Sequence, residues 1–458
     1  MLAGSSRFEF YCIVLLGLGH MCIFIGYDAQ TFLVESVLHS VNARDDNRID
    51  AHAGYYGQAT CYVAYMLACL FTPSLLPILS AKWALFLGSL SWTIYHIGFL
   101  YLNSYFYYFS SALMGVGFAF FYSGYTAYLT SHSSRNTIEQ NSAITWSIGN
   151  LCLLFGGVVL LVVFVINNGS TDDQLMEIAV GNNSSSPVKS VIVRDFTDTD
   201  IFWMYATFAA ITLCSNVIFA LIPSRDADGC IESGRPEKSP LLKEIRTMLT
   251  SFVHVNMLLL TPLFIHIGFV TAFWLAVYPT TFIFTESLVT YQYLPAFYSA
   301  AAGLGEIAMG VVITIGSRVI RDFGLMPTTC LSAFSTMAVL VAIAASVPEW
   351  STVMPTNDPP WLIQPSVSLT LAAAFTFGMI DSATNTARNV GCAVAMPEAR
   401  AHAFAISKIF QALAGAVAMV LSSRMSIYHH FQLLIVTTVL STIAVGVLHR
   451  RIRSTYSE

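Results

Sequence analysis

Twelve apolar runs of about twenty residues decide what this chain can become. A helix of that length crosses a hydrocarbon core of roughly 30 Å, and runs that are continuous rather than alternating argue against barrel strands. The first six are Phe8 to Ala29, Gly54 to Leu79, Trp83 to Leu102, Tyr105 to Leu129, Ala143 to Val165 and Ile201 to Ile222. A charged, Gly- and Pro-bearing linker from Pro223 to Arg246 follows. The other six are Phe252 to Phe282, Leu294 to Ile315, Thr328 to Ser346, Val367 to Thr386, Ala403 to Leu421 and Phe431 to Leu448. Only 10% of the 458 residues are charged against 55% hydrophobic, which excludes a string of water-soluble domains. The expectation is an all-α polytopic membrane protein with twelve transmembrane helices: a six-helix half over 1–222, a cytoplasmic linker over 223–250 and a second half over 251–458. Phe8 to Ala29 is too long for a signal peptide's apolar core and lacks a small-residue cleavage site, so it reads as the first span.

The placement of charge sets orientation. A net charge of -5 gives no nucleic-acid footprint. With the N-terminus in the cytoplasm, the inner segments hold Arg7, Lys82, Arg135, Arg225, Arg235, Lys238, Lys243, Arg246, Arg318, Arg321, Arg388, Arg400, Arg450, Arg451 and Arg453. The outer segments hold Arg44, Arg48, Lys189, Arg194 and Arg424. The bias of about three to one puts both termini inside. Glycosylation sequons at Asn168, Asn182 and Asn183 all fall in the loop between spans five and six, which this topology puts outside. The nine cysteines show neither zinc nor redox spacing and read as small buried hydrophobes.

Enzyme signatures do not survive their context. Gly303-Leu-Gly305-Glu-Ile-Ala308 mimics a dinucleotide loop but follows no strand and lies within a span, where glycines let helices approach. No nucleophile elbow, phosphate loop or zincin helix occurs. No enzyme activity, cofactor or metal is expected.

Ionisable residues inside spans are the better leads, because a charged side chain at the bilayer centre costs roughly 2.5–3.5 kcal/mol and normally faces a bundle interior or a wet cavity. Span one carries His20, Asp28 and Glu35, span seven His266, span eight Glu306 and span ten Asp381, while span eleven begins near Lys408. Asn385 follows Asp381 by four residues and shares its helical face. Two readings stand for Asp381: a group that titrates as a solute or proton binds, or a static pair with Arg388 or Lys408 that holds helices in register. Glu306 reads as structural. Pro262 and Pro279 interrupt span seven, and Pro73 and Pro77 end span two, where freed carbonyls can line a cavity.

Three blocks carry a resemblance: Thr72-Pro73-Ser74, Arg135-Asn-Thr-Ile-Glu-Gln-Asn-Ser-Ala-Ile144, and Gly378-Met-Ile-Asp381-Ser-Ala-Thr-Asn385-Thr386 with Phe404-Ala-Ile-Ser-Lys408-Ile-Phe-Gln411. In this order they resemble the Unc-ninety-three-like (uncoordinated) branch of the major facilitator superfamily. Ala387 stands where relatives usually carry Gln. The resemblance implies two six-helix halves related by an axis along the membrane normal, with spans one, four, seven and ten lining a central cavity. It therefore places Asp28, His266 and Asp381 near one another. It also implies a cytoplasmic latch in Gly316-Ser-Arg318-Val-Ile-Arg321-Asp322-Phe-Gly324, a motif that Ser80-Ala81-Lys82 in the first half lacks.

Two function classes follow. One is a secondary transporter of a small solute, with or without proton linkage. The other, implied by the resemblance, is a non-transporting subunit that regulates or traffics a membrane partner such as a channel. The lipid bilayer is a partner in both, and nucleic acid in neither. In the linker, Glu237-Lys-Ser-Pro-Leu241-Leu242 matches an acidic dileucine sorting pattern; the alternative is an amphipathic helix leading into span seven, with Lys243 and Arg246 at the headgroups. The first routes the protein to endosomal or lysosomal membranes, and the second leaves the plasma membrane open.

Overall fold

The computed structural model describes residues 2–134, 136–167, 175–180, 189–234, 241–320, 323–397 and 399–457. Asn168, Asn182, Asn183, Glu237, Arg321 and Asp322 lie outside the described residues. The helices are α1 (Leu2–Thr31), α2 (Val34–Arg44), α3 (Ala53–Gly98), α4 (Ser104–Ser131), α5 (Ile138–Asn150), α6 (Cys152–Asn167), α7 (Asp198–Leu221), α8 (Leu241–Phe252), α9 (Val255–Ala272), α10 (Tyr278–Ile283), α11 (Glu286–Val289), α12 (Leu294–Val319), α13 (Met326–Ser346), α14 (Val367–Ala395), α15 (Arg400–Ser422) and α16 (Ile427–Ser457). Ten stretches among the described residues are long and apolar enough to cross a bilayer, from Arg7–Thr31 to Ile427–Ser454. The chain is an integral, multi-pass membrane protein. Its outer surface carries unpaired apolar side chains, Phe334 (73% exposed) and Val341 (69%) among them, which only lipid can cover. The bundle is wholly helical; beside it, β1 (Leu175–Val180) and β2 (Lys189–Arg194) form one antiparallel hairpin in register Leu175↔Arg194 to Val180↔Lys189.

Local chemistry sets the helix ends. Thr197 and Asp200 form a reciprocal capping box at the start of α7, Asn103 accepts the Phe106 N–H at 3.0 Å to open α4, and Ser366 accepts the Leu369 N–H at 3.3 Å to open α14. The second and third apolar runs join without a loop: α3 turns at Ser80 (φ 66°, ψ 160°), and the next amide, Ala81 N–H, donates to the Gly234 carbonyl of the linker at 2.9 Å. Span seven runs through Pro262 without interruption in α9, against expectation, and changes form only ahead of Pro279, where a π-helical turn over Phe273–Val277 leads into α10 with Pro279 in its first turn.

Early and late helices meet in two places. α3 lies against α15 and α6 against α12, with Ser299 Oγ donating to the Leu153 carbonyl at 2.7 Å and Tyr56 Oη 3.1 Å from Ser423 Oγ. One end of the bundle is sealed by further contacts between them. Phe32 packs on Trp274 and Tyr298 at centroid distances of 6.1 and 5.3 Å, and Tyr55 Oη donates to the Thr352 carbonyl at 2.7 Å. Buried Arg194 donates to the Gln292 carbonyl at 2.9 Å while its guanidinium lies over the Phe164 and Phe196 rings. The opposite end carries both termini and the linker. There Glu9 accepts from Asn141 Nδ2 at 2.7 Å, His132 Nε2 lies 3.0 Å from the Arg225 carbonyl, and Leu448 clusters with Met248, Met257 and Ala395.

At the sealed end Glu35, buried in α2, stands in for a missing helix cap. Its Oε2 accepts the Tyr55 N–H of α3 at 3.1 Å and its Oε1 meets His52 Nδ1 at 3.1 Å. His52 itself is left-handed (φ 57°), a conformation that this contact helps to hold. The hydrogen bond to Glu35 raises the His52 pKa above its ordinary 6.5. A raised histidine pKa stabilises the fold fully below 6.5, and that stabilisation is lost as pH climbs through the raised value. The melting temperature should therefore fall across that window in scanning fluorimetry, and His52→Gln should flatten the dependence. A variant that keeps the wild-type slope would remove His52 as its source.

Candidate functional site

Glycines bring the carboxylates together. A Cβ on Gly305 of α12 would sit 1.9 Å from the Phe375 carbonyl oxygen of α14, and one on Gly378 of α14 would sit 1.9 Å from the Ala302 carbonyl oxygen of α12. The two backbones thus touch reciprocally, as expected for intramembrane glycines, and Glu306 and Asp381 follow each of them along facing helices. Asp28 of α1 approaches from the other side. Cys152 Sγ of α6 donates to its Oδ2 at 3.3 Å, and Asp28, Glu306 and Asp381 all lie within electrostatic range of one another.

Two cations complete the cluster. Asn385 Nδ2 donates to Asp381 Oδ2 at 2.8 Å, as the four-residue spacing predicts. Arg388 Nη1 and Lys408 Nζ both donate to one acceptor, Gln411 Oε1, at 2.7 and 3.3 Å. Lys408 Nζ also lies 4.4 Å from the centroid of the Tyr122 ring of α4, a cation–π contact between an early helix and a late one. Arg388 and Lys408 are near enough to Asp381 to act on it electrostatically. The expected static pair is nevertheless absent: among the described residues no carboxylate lies within 4.0 Å of either cation, and Glu306 forms neither an ion pair nor a hydrogen bond. The physical reason is that Asn385 occupies one Asp381 oxygen while Gln411 of α15 accepts from both cations, from Arg388 across the helix interface and from Lys408 along its own helix.

The site holds two orphan donors. Arg388 is 4% exposed and its Nε has no partner; Trp274 is 3% exposed and its indole N–H approaches the Asp381 carboxylate without reaching hydrogen-bond geometry. Asp381, Asn385, Lys408, Gln411 and Tyr122 keep partial access to solvent, whereas residues 31–38 at the sealed end are all buried.

Other expected site residues lie elsewhere. His266 does not join Asp28 and Asp381: it is buried with Nδ1 3.0 Å from Thr437 Oγ1 of α16, beside a small cavity lined by Thr329, Ser332, Thr384 and Thr438. The break in span seven explains this, because the π-helical turn delivers Trp274, and not the histidine two turns earlier, to the cluster. Arg318 is exposed at the end of α12. Leu241 and Leu242 are the first residues of α8, the arrangement of the amphipathic-helix reading. All nine cysteines are free, with Cys214 and Cys330 exposed on the bundle surface rather than buried. Sequence reasoning did not single out Tyr122, Cys152 or Trp274. Only Trp274 had a signal, five residues before the proline that breaks span seven.

A family model described as "Ion channel regulatory protein UNC-93" matches residues 45–445. UNC93-like protein MFSD11 of Xenopus laevis is 24% identical over 443 residues, covering 92% of each chain, and its Xenopus tropicalis counterpart is 23% identical with the same coverage. Among solved structures, the peptide transporter POT in complex with sulfate superposes with a TM-score of 0.65 at 11% identity, covering 96% of this chain and 94% of that one. A mutant of the nucleoside transporter NupG gives a TM-score of 0.59 at 12% identity, covering 95% and 99%. The chain shares the fold of major facilitator transporters.

Proposed function

This chain belongs to the UNC-93 family, and on that premise we propose that it is a secondary transporter of a small solute, coupled to protons, rather than an enzyme. It works as two six-helix halves, residues 1–222 and 251–458, joined by the linker 223–250. The twelve helices add α4 and the first part of α3 to the ten spans that length and composition pick out. The pairing of α3 with α15 and α6 with α12 supports this division, because it sets the second span on the eleventh and the fifth on the eighth. The observation that carries the reading is the cluster itself. Asp28 comes from one half, Glu306, Asp381, Arg388 and Lys408 from the other, and among the described residues these buried or half-buried charges form no ion pair where the halves meet. Structural charges in a membrane normally pair; a site that must bind and release cannot. With one end sealed and the cluster partly accessible, the path to it runs from the end that bears the termini, and rocking of the halves would expose it to the other side.

The direct test is uptake of a metabolite mixture into vesicles reconstituted with the protein, with and without an imposed proton gradient. Gradient-dependent accumulation is expected, and equal uptake by empty vesicles would end the transporter reading. The printed description of the family model favours a second reading, in which the same fold serves as a channel-regulating subunit. Its signature would be altered channel current on co-expression with no uptake.

The positive-inside bias puts both termini and the linker in the cytoplasm, and the loop with the sequons outside. Glycosidase treatment should increase electrophoretic mobility, and replacing Asn168, Asn182 and Asn183 by Gln should abolish the shift. Cytoplasmic labelling of a tag inserted beside Lys189 would reverse the orientation.

A further inference from the structure

The cluster presents two opposite recognition faces side by side, and we propose that its ligand is a zwitterion, a small solute carrying both an ammonium and a carboxylate. This rests on the transporter reading only in taking the cluster as the solute site. Among the described residues Arg388 Nε is a buried donor without a partner, the Trp274 indole N–H nears the Asp381 carboxylate without reaching hydrogen-bond geometry, and Lys408 Nζ makes one hydrogen bond, to Gln411. An acceptor must arrive to satisfy them, and a carboxylate matches an Arg donor with a Lys charge beside it. The acidic side has the reverse deficit. Glu306 makes no hydrogen bond among the described residues, and Asp28 accepts only from a thiol, a weak donor. An ammonium supplies three donors to these acceptors.

Charge rejects the simpler ligands. Three carboxylates face two cations, so the cluster is one negative charge out of balance when all are ionised. An anion alone would satisfy the orphan donors but deepen the imbalance beside Asp28 and Glu306. An amine alone would correct the charge but leave Arg388 Nε buried and unpaired. A zwitterion pairs both faces and adds no net charge, and the remaining imbalance is one that a single proton cancels. Coupling of solute to proton then follows from the composition of the site.

The experiment is ligand binding to the purified full-length protein in lipid nanodiscs at neutral pH, read by thermal shift and competition. The probes are glycine, γ-aminobutyrate and ε-aminocaproate, which space the two charges progressively, against n-butylamine and n-butyrate, which carry one each. At least one zwitterion should bind about tenfold or more tighter than either single-charge probe. Arg388→Gln should erase the gap between γ-aminobutyrate and n-butylamine, and Glu306→Gln the gap between γ-aminobutyrate and n-butyrate. Binding of n-butylamine or n-butyrate as tight as the best zwitterion, or no zwitterion binding, overturns the proposal. Zwitterion binding without vesicle uptake would uphold it and sink the transporter reading; uptake of a single-charge probe without zwitterion binding would do the reverse.

Discussion

Gly378→Val should remove the folded protein from the membrane. The side chain would begin 1.9 Å from the Ala302 carbonyl oxygen and 2.9 Å from the Glu306 amide nitrogen, and neither is the movable end of a side chain. Overpacking costs about 1–3 kcal/mol even where neighbours can relax. Here α12 and α14 must separate along their shared face, losing the complementary approach at Gly305 as well. Against a total stability of roughly 5–15 kcal/mol, such a loss is large. The monodisperse peak of a fluorescently tagged variant should fall about tenfold or more in size-exclusion chromatography, one factor of ten corresponding to about 1.4 kcal/mol. Gly310→Val on the facing helix α12 is the control, because a Cβ there meets nothing within 4 Å. Equal losses for the two variants would mean that the contact between α12 and α14 is not what the glycine protects.

Asp381→Asn should leave the fold intact and cut proton-driven uptake by about two orders of magnitude, the range associated with a positioned proton-transfer group. The amide has the shape of the carboxyl and can still accept from Asn385 Nδ2, so local packing is kept. It loses the negative charge that lies between Arg388, Lys408 and the other two acids, and with it the ability to take up a proton as solute binds. Uptake by counterflow, which needs no net proton movement, should survive better than gradient-driven uptake. Unchanged driven uptake and unchanged pH dependence would exclude Asp381 as the coupling group. Loss of the chromatographic peak would instead give this carboxylate a packing role.

The sequence by itself determined the class of molecule. Continuous apolar runs leave a chain no alternative to membrane helices, because a backbone in lipid must satisfy its own hydrogen bonds. It marked Pro279 as a place where span seven is disturbed, since a proline lacks the N–H that the ladder needs, and it determined the contact of Asn385 with Asp381, since a four-residue spacing stacks side chains on one helix face. It also marked Gly303 and Gly305 as sites of close helix approach. These are local consequences of the chain and survive without knowledge of its neighbours.

Tertiary structure alone decided which charges meet. Glu306 read as structural because nothing along α12 shows that Gly305 lies on Phe375 and so sets the acid beside α14. Of the two readings open for Asp381, the static pair with Arg388 or Lys408 is not formed, because Gln411 accepts from both cations: Lys408 meets it at a three-residue spacing, and Arg388 reaches it only through the packing of α14 on α15. His266 turned from the centre to Thr437 while the π-helical turn brought Trp274 in, and one extra residue in a helical turn is a backbone event that no side-chain pattern records. Distances between helices depend on packing across hundreds of residues of chain, so the sequence named the ionisable groups, and the fold chose which of them would remain buried, adjacent and unpaired.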